Sequence, residues 1–106
     1  MLKELAKNKV TPLGAESEYL IISNYFDNGD FSSVEKEVFA FSDSGTPHTY
    51  WLAKSYILLG DSYAERSNWE QAEATFRSIQ ESYKPSGKDD IAEQIKMRLE
   101  KIKNRE

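Results

Sequence analysis

The sequence has no cysteine and only one histidine, and these scarcities exclude several kinds of chemistry. Without cysteine there can be no disulfide, no thiolate metal site and no cysteine nucleophile. His48 alone cannot supply the several nitrogen or sulfur ligands of a zinc site, and no G-x-S-x-G nucleophile motif is present. The five glycines are widely spaced, and "SGK" at 86–88 lacks the upstream glycine of a phosphate-binding loop. We therefore expect no catalytic residue, no metal and no cofactor.

Acidic residues are plentiful, but their spacing does not indicate an acid–base pair. Carboxylates that are close in sequence, such as Glu16 and Glu18, point to different sides of a helix. General acid–base catalysis needs two groups that converge on a substrate, and nothing in the pattern indicates a buried carboxylate. We expect a protein that is not an enzyme.

Long apolar runs are also missing. Stretches such as "YLII" at 19–22 end after four residues, far short of the roughly eighteen that a membrane helix needs. The first ten residues, "MLKELAKNKV", lack the continuous apolar core and small-residue cleavage site of a signal peptide. We expect no membrane span. The localisation stays open: cytoplasmic for the chain as it stands, and periplasmic or envelope-associated if it is part of a longer protein.

Positive charge is scarce where a nucleic-acid binder would need it. The net charge is −4, and residues 15–50 contain seven acidic residues against one lysine. The basic residues after position 95 alternate with glutamates, which is typical of a solvated helix face. A nucleic-acid surface instead needs a basic patch or stripe. We therefore expect no nucleic-acid partner.

What the chain does contain is an internal repeat. Sliding the sequence by 38 residues aligns "AESEYLIISNYFDNGDF" with "AKSYILLGDSYAERSNW", and seven of 33 aligned residues are identical. The matching positions are apolar residues at the three- and four-residue steps of a helix, and the helix-breaking residues fall in register too. Each unit is predicted to be two helices. Asn68 and Gln71 form a candidate capping box, and Thr46-Pro47 is a candidate helix start.

These patterns predict an all-α protein of antiparallel helix hairpins with helices at both ends. A stack of helix pairs ends in a helix with one apolar and one polar face, and the stripe Ile91, Ile95, Leu99 and Ile102 meets that need. The predicted ranges are 1–10 for the tail of a preceding or capping helix, 12–46 for the first unit, 47–85 for the second unit, and 88–104 for a C-terminal capping helix.

The second unit resembles a tetratricopeptide repeat in its spacing of Leu59-Gly60, Tyr63, Trp69, Ala72, Phe76 and Pro85. The first unit keeps Tyr25, Gly29, Phe31 and Pro47, but has Ile22 and Val34 where the second has the small residues Gly60 and Ala72. Those small residues let two helices approach closely, so we expect the first pair to be slightly splayed. The junction "EKEVFAFSDSGTPHTYWLAKSYILLGD" also looks similar to tetratricopeptide proteins of Bacteroidetes-type bacteria, which tend to be longer and associated with the cell envelope.

The resemblance implies a right-handed superhelix of about two repeats, in which the first helix of each unit lines a concave groove. Such grooves bind an extended peptide or a partner helix. Carried over residue by residue, the groove comprises Glu16, Tyr19, Ser23, Phe26, Asp27, Lys54, Ile57, Asp61 and Glu65. The basic clamp that some family members use for a terminal carboxylate is essentially absent, because only Lys54 offers a cation. An acidic groove with aromatic contacts favours a basic or amphipathic peptide.

Two alternatives stay open at this point. In the first, Tyr19 and Phe26 only pack between helices, since aromatic residues at helical spacing are usually core. In the second, the chain is a structural or oligomerising segment that associates through exposed helix ends. The acid-rich stretch "YFDNGDF" at 25–31 has no register that fits a calcium loop. It is predicted to be a helix corner, with Gly29 in a left-handed conformation and Asp30 as the cap of the next helix.

Overall fold

The computed structural model describes residues 12–83 and 90–104, which form five α-helices. They are α1 (Pro12–Asp27), α2 (Phe31–Asp43), α3 (Thr49–Glu65), α4 (Trp69–Ser82) and α5 (Ile91–Asn104). No strand occurs in these residues, so the predicted all-α class is confirmed. None of the five helices is long and apolar enough to span a bilayer. The predicted helix over 1–10 and the breaker segment "KPSGK" at 84–88 lie outside the described residues.

The helices form two layers with α3 at the centre. α3 packs against each of the other four helices, while α1 also packs on α2, and α5 also packs on α4. No Cα atom of α2 lies within 8 Å of one in α4. Helices α1, α3 and α5 therefore form one layer, and α2 and α4 form the other. The fold measures 43 × 32 × 19 Å, and its shortest dimension fits two layers of helices about 10 Å in diameter.

Two polar contacts define the direction of α5 relative to α3. Near the start of α3, the Tyr50 hydroxyl donates to Asp90 just before α5, at 3.3 Å. Near the end of α3, Asp61 accepts from Arg98 in the second half of α5. The two helices therefore run parallel, as alternate helices do in a stack of hairpins.

The first corner, at residues 28–30, folds as its sequence predicts. Gly29 has a φ of 74°, a left-handed conformation that glycine adopts without steric cost. Its N–H donates to the Phe26 carbonyl at 3.0 Å, and the Asp30 N–H donates to the Tyr25 carbonyl at 2.9 Å. The Asp30 carboxylate then caps α2 by accepting from the Ser33 N–H at 3.3 Å. The stretch "YFDNGDF" is a helix corner closed by its own backbone.

The second corner has the same geometry at the equivalent position of the second unit, without a glycine. Ser67 stands where Gly29 stands in the first corner and has a φ of 59°. Its N–H donates to the Ala64 carbonyl at 2.9 Å, and the Asn68 N–H donates to the Tyr63 carbonyl at 2.8 Å. The predicted capping box is wrong, however, because the Asn68 side chain makes no capping hydrogen bond. The backbone alone closes this corner.

Helix α3 begins two residues later than its predicted start at Pro47. The hydroxyl of Thr46 accepts from the His48 N–H at 3.2 Å, and the Thr49 N–H donates to the Pro47 carbonyl at 3.1 Å. When a hydroxyl accepts a hydrogen bond from the backbone N–H two residues later, it forms a turn. This turn competes with helical geometry. His48 is therefore the residue before the helix, rather than a residue of its first turn.

The core lies between the two layers, and α3 and α4 pack closely at Gly60. A Cβ atom at this position would lie 2.4 Å from the Phe76 ring, so α3 and α4 pack with no room for a side chain there. The equivalent pair in the first unit is Ile22 and Val38, both fully buried. In the second unit a glycine lies against a large ring, whereas the equivalent positions of the first unit hold an isoleucine and a valine.

Burial along α5 follows its predicted stripe. Ile91, Ile95 and Ile102 are buried against the rest of the fold, and Leu99, the fourth residue of the stripe, is half-buried. The expectation that no carboxylate is buried is wrong at Glu18, which lies on α1 and is 1% exposed. Its neighbour Glu16 is exposed, because residues two apart face different sides of a helix.

Candidate functional site

A cleft of about 190 Å³ lies in the three-helix layer formed by α1, α3 and α5. It brings together residues that are far apart in the sequence: Tyr19 from α1, three residues of α3, and four residues at or before α5. Its lining is Tyr19, Lys54, Ile57, Leu58, Asp90, Ile91, Gln94 and Arg98. Three of the nine predicted groove residues, Tyr19, Lys54 and Ile57, thus line one cleft.

The ammonium group of Lys54 is surrounded by aromatic rings. It lies 5.0 Å from the centroid of the Tyr19 ring and 5.5 Å from those of Tyr50 and Trp51. The rings also contact one another, with centroids 5.6 Å apart for Tyr19 and Trp51 and 5.2 Å apart for Tyr50 and Trp51. A cation within about 6 Å of a ring face is attracted by the ring quadrupole. We call Tyr19, Tyr50 and Trp51 the aromatic box.

Asp61, a predicted contact residue, is engaged within the fold. Arg98 donates to both oxygens of the Asp61 carboxylate, from Nε at 2.9 Å and from Nη2 at 3.1 Å, and its Nη1 donates to the Gln94 side-chain oxygen at 2.6 Å. Such a bidentate pair fixes the orientation of both side chains. Asp61 therefore joins α3 to α5, and Arg98 contributes a cation to the cleft wall.

The other predicted residues lie outside the cleft lining. Phe26 is half-buried and packs on Phe31 with ring centroids 5.6 Å apart, so its contact belongs to the first corner. Glu16, Asp27 and Glu65 are exposed and Ser23 is half-buried. Among the residues that do line the cleft, Ile57 is 6% exposed and belongs to the hydrophobic core.

Sequence reasoning missed the rings of Tyr50 and Trp51. It also missed five residues of the cleft lining: Leu58, Asp90, Ile91, Gln94 and Arg98. A signal for the two rings was present, because residues three and four positions before Lys54 face it on a helix. No comparable signal pointed to Gln94 or Arg98. They lie on α5, whose charged residues look like an ordinary solvated face until the helix is placed beside α3.

A larger cleft of about 300 Å³ lies between α3, α4 and the end of α2. Its lining contains no charged side chain. A polar or charged ligand would find no ionic partner there. The smaller cleft has charged side chains in its lining, among them the Asp90 carboxylate, which can orient a ligand. We therefore regard it as the better candidate site.

Tyr63 and Glu35 form a polar contact between α3 and α2. The Tyr63 hydroxyl donates a short hydrogen bond to the Glu35 carboxylate, while the Arg66 guanidinium lies 5.1 Å from the Tyr63 ring centroid. Burial, reinforced by the Glu35 carboxylate, raises the pKa of Tyr63 to about 12. Because the end of α3 meets the start of α2, these two helices are antiparallel.

Among residues 12–83 and 90–104, no cluster of three His, Asp or Glu side chains has the arrangement of a metal site. His48 is half-buried beside the start of α3. Comparison of the chain with protein-family models, curated proteins and solved structures finds no match.

Proposed function

We propose that this chain is a non-catalytic protein-interaction module of the tetratricopeptide-like helical-repeat type, which binds a peptide or a partner helix in the groove of its three-helix layer. The observation that carries the proposal is the cleft beside Lys54, whose walls come from α1, α3 and α5 together. The cleft combines apolar side chains with a few polar groups, as ligand sites between packed helices do.

The repeat part of the proposal rests on the two corners. Gly29 and Ser67, which occupy equivalent positions in the two units, share a left-handed conformation and the same pattern of backbone hydrogen bonds. A sequence repeat whose turns also coincide in geometry supports a stack of equivalent hairpins. We also propose that the stacked hairpins form a right-handed superhelix.

Charge favours a basic or amphipathic partner. Asp90 lies in the cleft wall, and the exposed carboxylates of Glu16, Asp27 and Glu65 lie on the same two helices that supply Tyr19 and Lys54. Complementary charge steers association and fixes the orientation of the bound partner. The cation Arg98 is already neutralised by Asp61.

The test is affinity capture from the source cells with mass spectrometry, using three matched baits: wild type, Lys54→Glu with Tyr19→Ala, and Lys36→Glu. Lys36 is exposed on α2, in the other layer, so its charge reversal leaves the groove intact. Partners that bind the groove are retained by wild type and Lys36→Glu and lost from the double variant. Circular dichroism checks that each bait is folded. Identical partner sets for all three baits would contradict groove binding.

One observation favours the alternative of an oligomerising segment. Met97 on α5 is 58% exposed, whereas Leu59, its equivalent in the preceding unit, is 2% exposed under its neighbours. A further copy of the chain could cover Met97. Sedimentation across concentrations tests this: a wild-type dimer that Met97→Glu converts to monomer supports the alternative, and a wild-type monomer at high concentration counts against it.

A further inference from the structure

The aromatic box holds an ammonium group that belongs to the protein itself. Tyr19 comes from α1, and Tyr50 and Trp51 come from the first turn of α3, so the box forms only when the two helices pack. Lys54 lies one turn further along α3, and its ammonium group occupies the box. An ammonium therefore already fits among these three rings, at 5.0 to 5.5 Å from each centroid.

We propose that the aromatic box is the receptor for a methylated lysine side chain of the partner peptide, and that Lys54 occupies it until the partner arrives. This inference rests on the groove function proposed above and adds the chemistry of the bound group. Aromatic rings around an alkylated ammonium are a general means of recognising that cation.

Lys54 is suited to leave the box. It is half-buried, and among the described residues no acidic side chain forms an ion pair with it. The three rings therefore hold its ammonium, and its four-carbon stem can carry that group into water. A bidentate arginine in this place would be held far more firmly, as Arg98 is by Asp61.

A methylated ammonium has an advantage over Lys54 in this exchange. The primary ammonium of lysine is strongly hydrated, whereas methyl groups remove its N–H donors and lower the cost of leaving water. The ring faces attract both cations, so the difference in hydration favours the methylated group inside the box and Lys54 outside. The Asp90 carboxylate, held beside the box by the Tyr50 hydroxyl, adds attraction for a cation.

The experiment titrates the full chain with a short neutral peptide carrying trimethyllysine and with the same peptide carrying the uncharged tert-butyl isostere. Binding is followed through the Trp51 indole signal in NMR spectra. Lys54→Gln empties the box without removing a ring, and Lys36→Gln makes the same charge change on α2. Tyr19→Leu removes one wall. Tetramethylammonium serves as the competitor.

We expect trimethyllysine to bind Lys54→Gln about tenfold more tightly than wild type, and we expect the isostere to bind about tenfold more weakly than the cation. Lys36→Gln should bind the trimethyllysine peptide with the affinity of wild type. Tyr19→Leu should lose binding while its helical circular dichroism spectrum is retained. Equal affinity for the cation and the isostere overturns the proposal, as does equal affinity of wild type and Lys54→Gln.

Two further results separate this inference from the groove function. In the first, capture of a partner requires Lys54 and Tyr19, but the partner lacks methyllysine and is not displaced by tetramethylammonium. The box proposal then fails and groove binding stands. If the peptide binds the box while no partner depends on the groove in capture, the groove function fails. Binding to phosphatidylcholine vesicles instead of the peptide would overturn the assignment of a lysine side chain.

Discussion

Gly60 lets α3 and α4 pack closely, because its missing side chain leaves space that the Phe76 ring fills. Its backbone has ordinary helical geometry, so alanine would be preferred by helix propensity alone. The added Cβ would nevertheless lie 2.4 to 2.9 Å from three ring atoms. We predict that Gly60→Ala lowers the free energy of unfolding by about 1–3 kcal/mol, measured by urea denaturation.

The pair in the first unit, Ile22 and Val38, suggests the control for this prediction. Replacing Phe76 with valine makes room for a side chain at position 60, so the two substitutions should be less damaging together than the sum of their separate effects. A double-mutant cycle measures this coupling. If Gly60→Ala is as stable as wild type, steric contact does not account for the glycine.

Because of Tyr63, the free energy of unfolding should depend on pH in the alkaline range. Its pKa is raised to about 12 in the folded state, against about 10 in an unfolded chain. The folded protein therefore holds this proton more tightly, so the stabilisation is fully present below pH 10 and is lost as the pH rises from 10 towards 12.

The variant Tyr63→Phe removes the hydroxyl that donates to Glu35. We predict a loss of about 1.5 kcal/mol at neutral pH, and a difference from wild type that shrinks between pH 10 and 12. Urea unfolding at several pH values measures both. A difference that stays constant over this range would show that the hydroxyl does not titrate as the structure implies.

At the scale of the element, the two corners allow a direct comparison of helix caps. The Asp30 side chain bonds the Ser33 N–H, whereas Asn68, in the equivalent position, makes no such bond. We predict that Asp30→Ala costs about 1 kcal/mol and that Asn68→Ala costs less than about 0.5 kcal/mol. Thermal and urea unfolding of the two variants test this. Equal losses of stability in the two variants would mean that the side-chain cap at Asp30 does not stabilise the helix.

The corners also show why elements are easier to predict than their ends. Gly29 identified its corner because glycine adopts a positive φ readily. Ser67 adopts a similar conformation with no such residue signal. Its position could be inferred only through the sequence repeat. Helix α3 begins later than its predicted start because the Thr46 hydroxyl bond, and not Pro47, decides where the helix begins.

At the scale of the whole molecule, the contact between Arg98 and Asp61 attaches α5 to α3. Both side chains are about three-quarters buried, so water screens the pair less than it would at the surface. We predict that Arg98→Ala destabilises α5 by about 1–2 kcal/mol. Hydrogen exchange should show lower protection of α5 amides, with the centre of α3 nearly unchanged.

Arg77 provides the matched control, since it forms an ion pair with Glu73 through a single hydrogen bond on the exposed face of α4. Arg77→Ala should cost no more than about 0.5 kcal/mol. If the two arginine variants behave alike, the pair between α3 and α5 has no special role, and the cleft wall would have to be held by the apolar contacts of Ile91 and Ile95.

The candidate site was only partly within reach of sequence reasoning. The tetratricopeptide resemblance implies that Tyr19 and Lys54 are groove residues, and they do meet in one cleft. Phe26 and Asp61, which the same resemblance assigns to the groove, make contacts inside the fold instead. Spacing along a helix tells which residues share a face. It does not tell which of them a neighbouring helix will engage.

The sequence by itself determined the all-α class, the helical segments of residues 12–83 and 90–104, and the corner at Gly29, because these depend on periodicity and on local backbone preferences. Only the tertiary structure decided that Lys54 lies among three rings, that Asp61 is bound by Arg98 and that Glu18 is buried. Each of these depends on which helices pack side by side. That arrangement joins residues that are far apart along the chain, and no local pattern encodes such a contact.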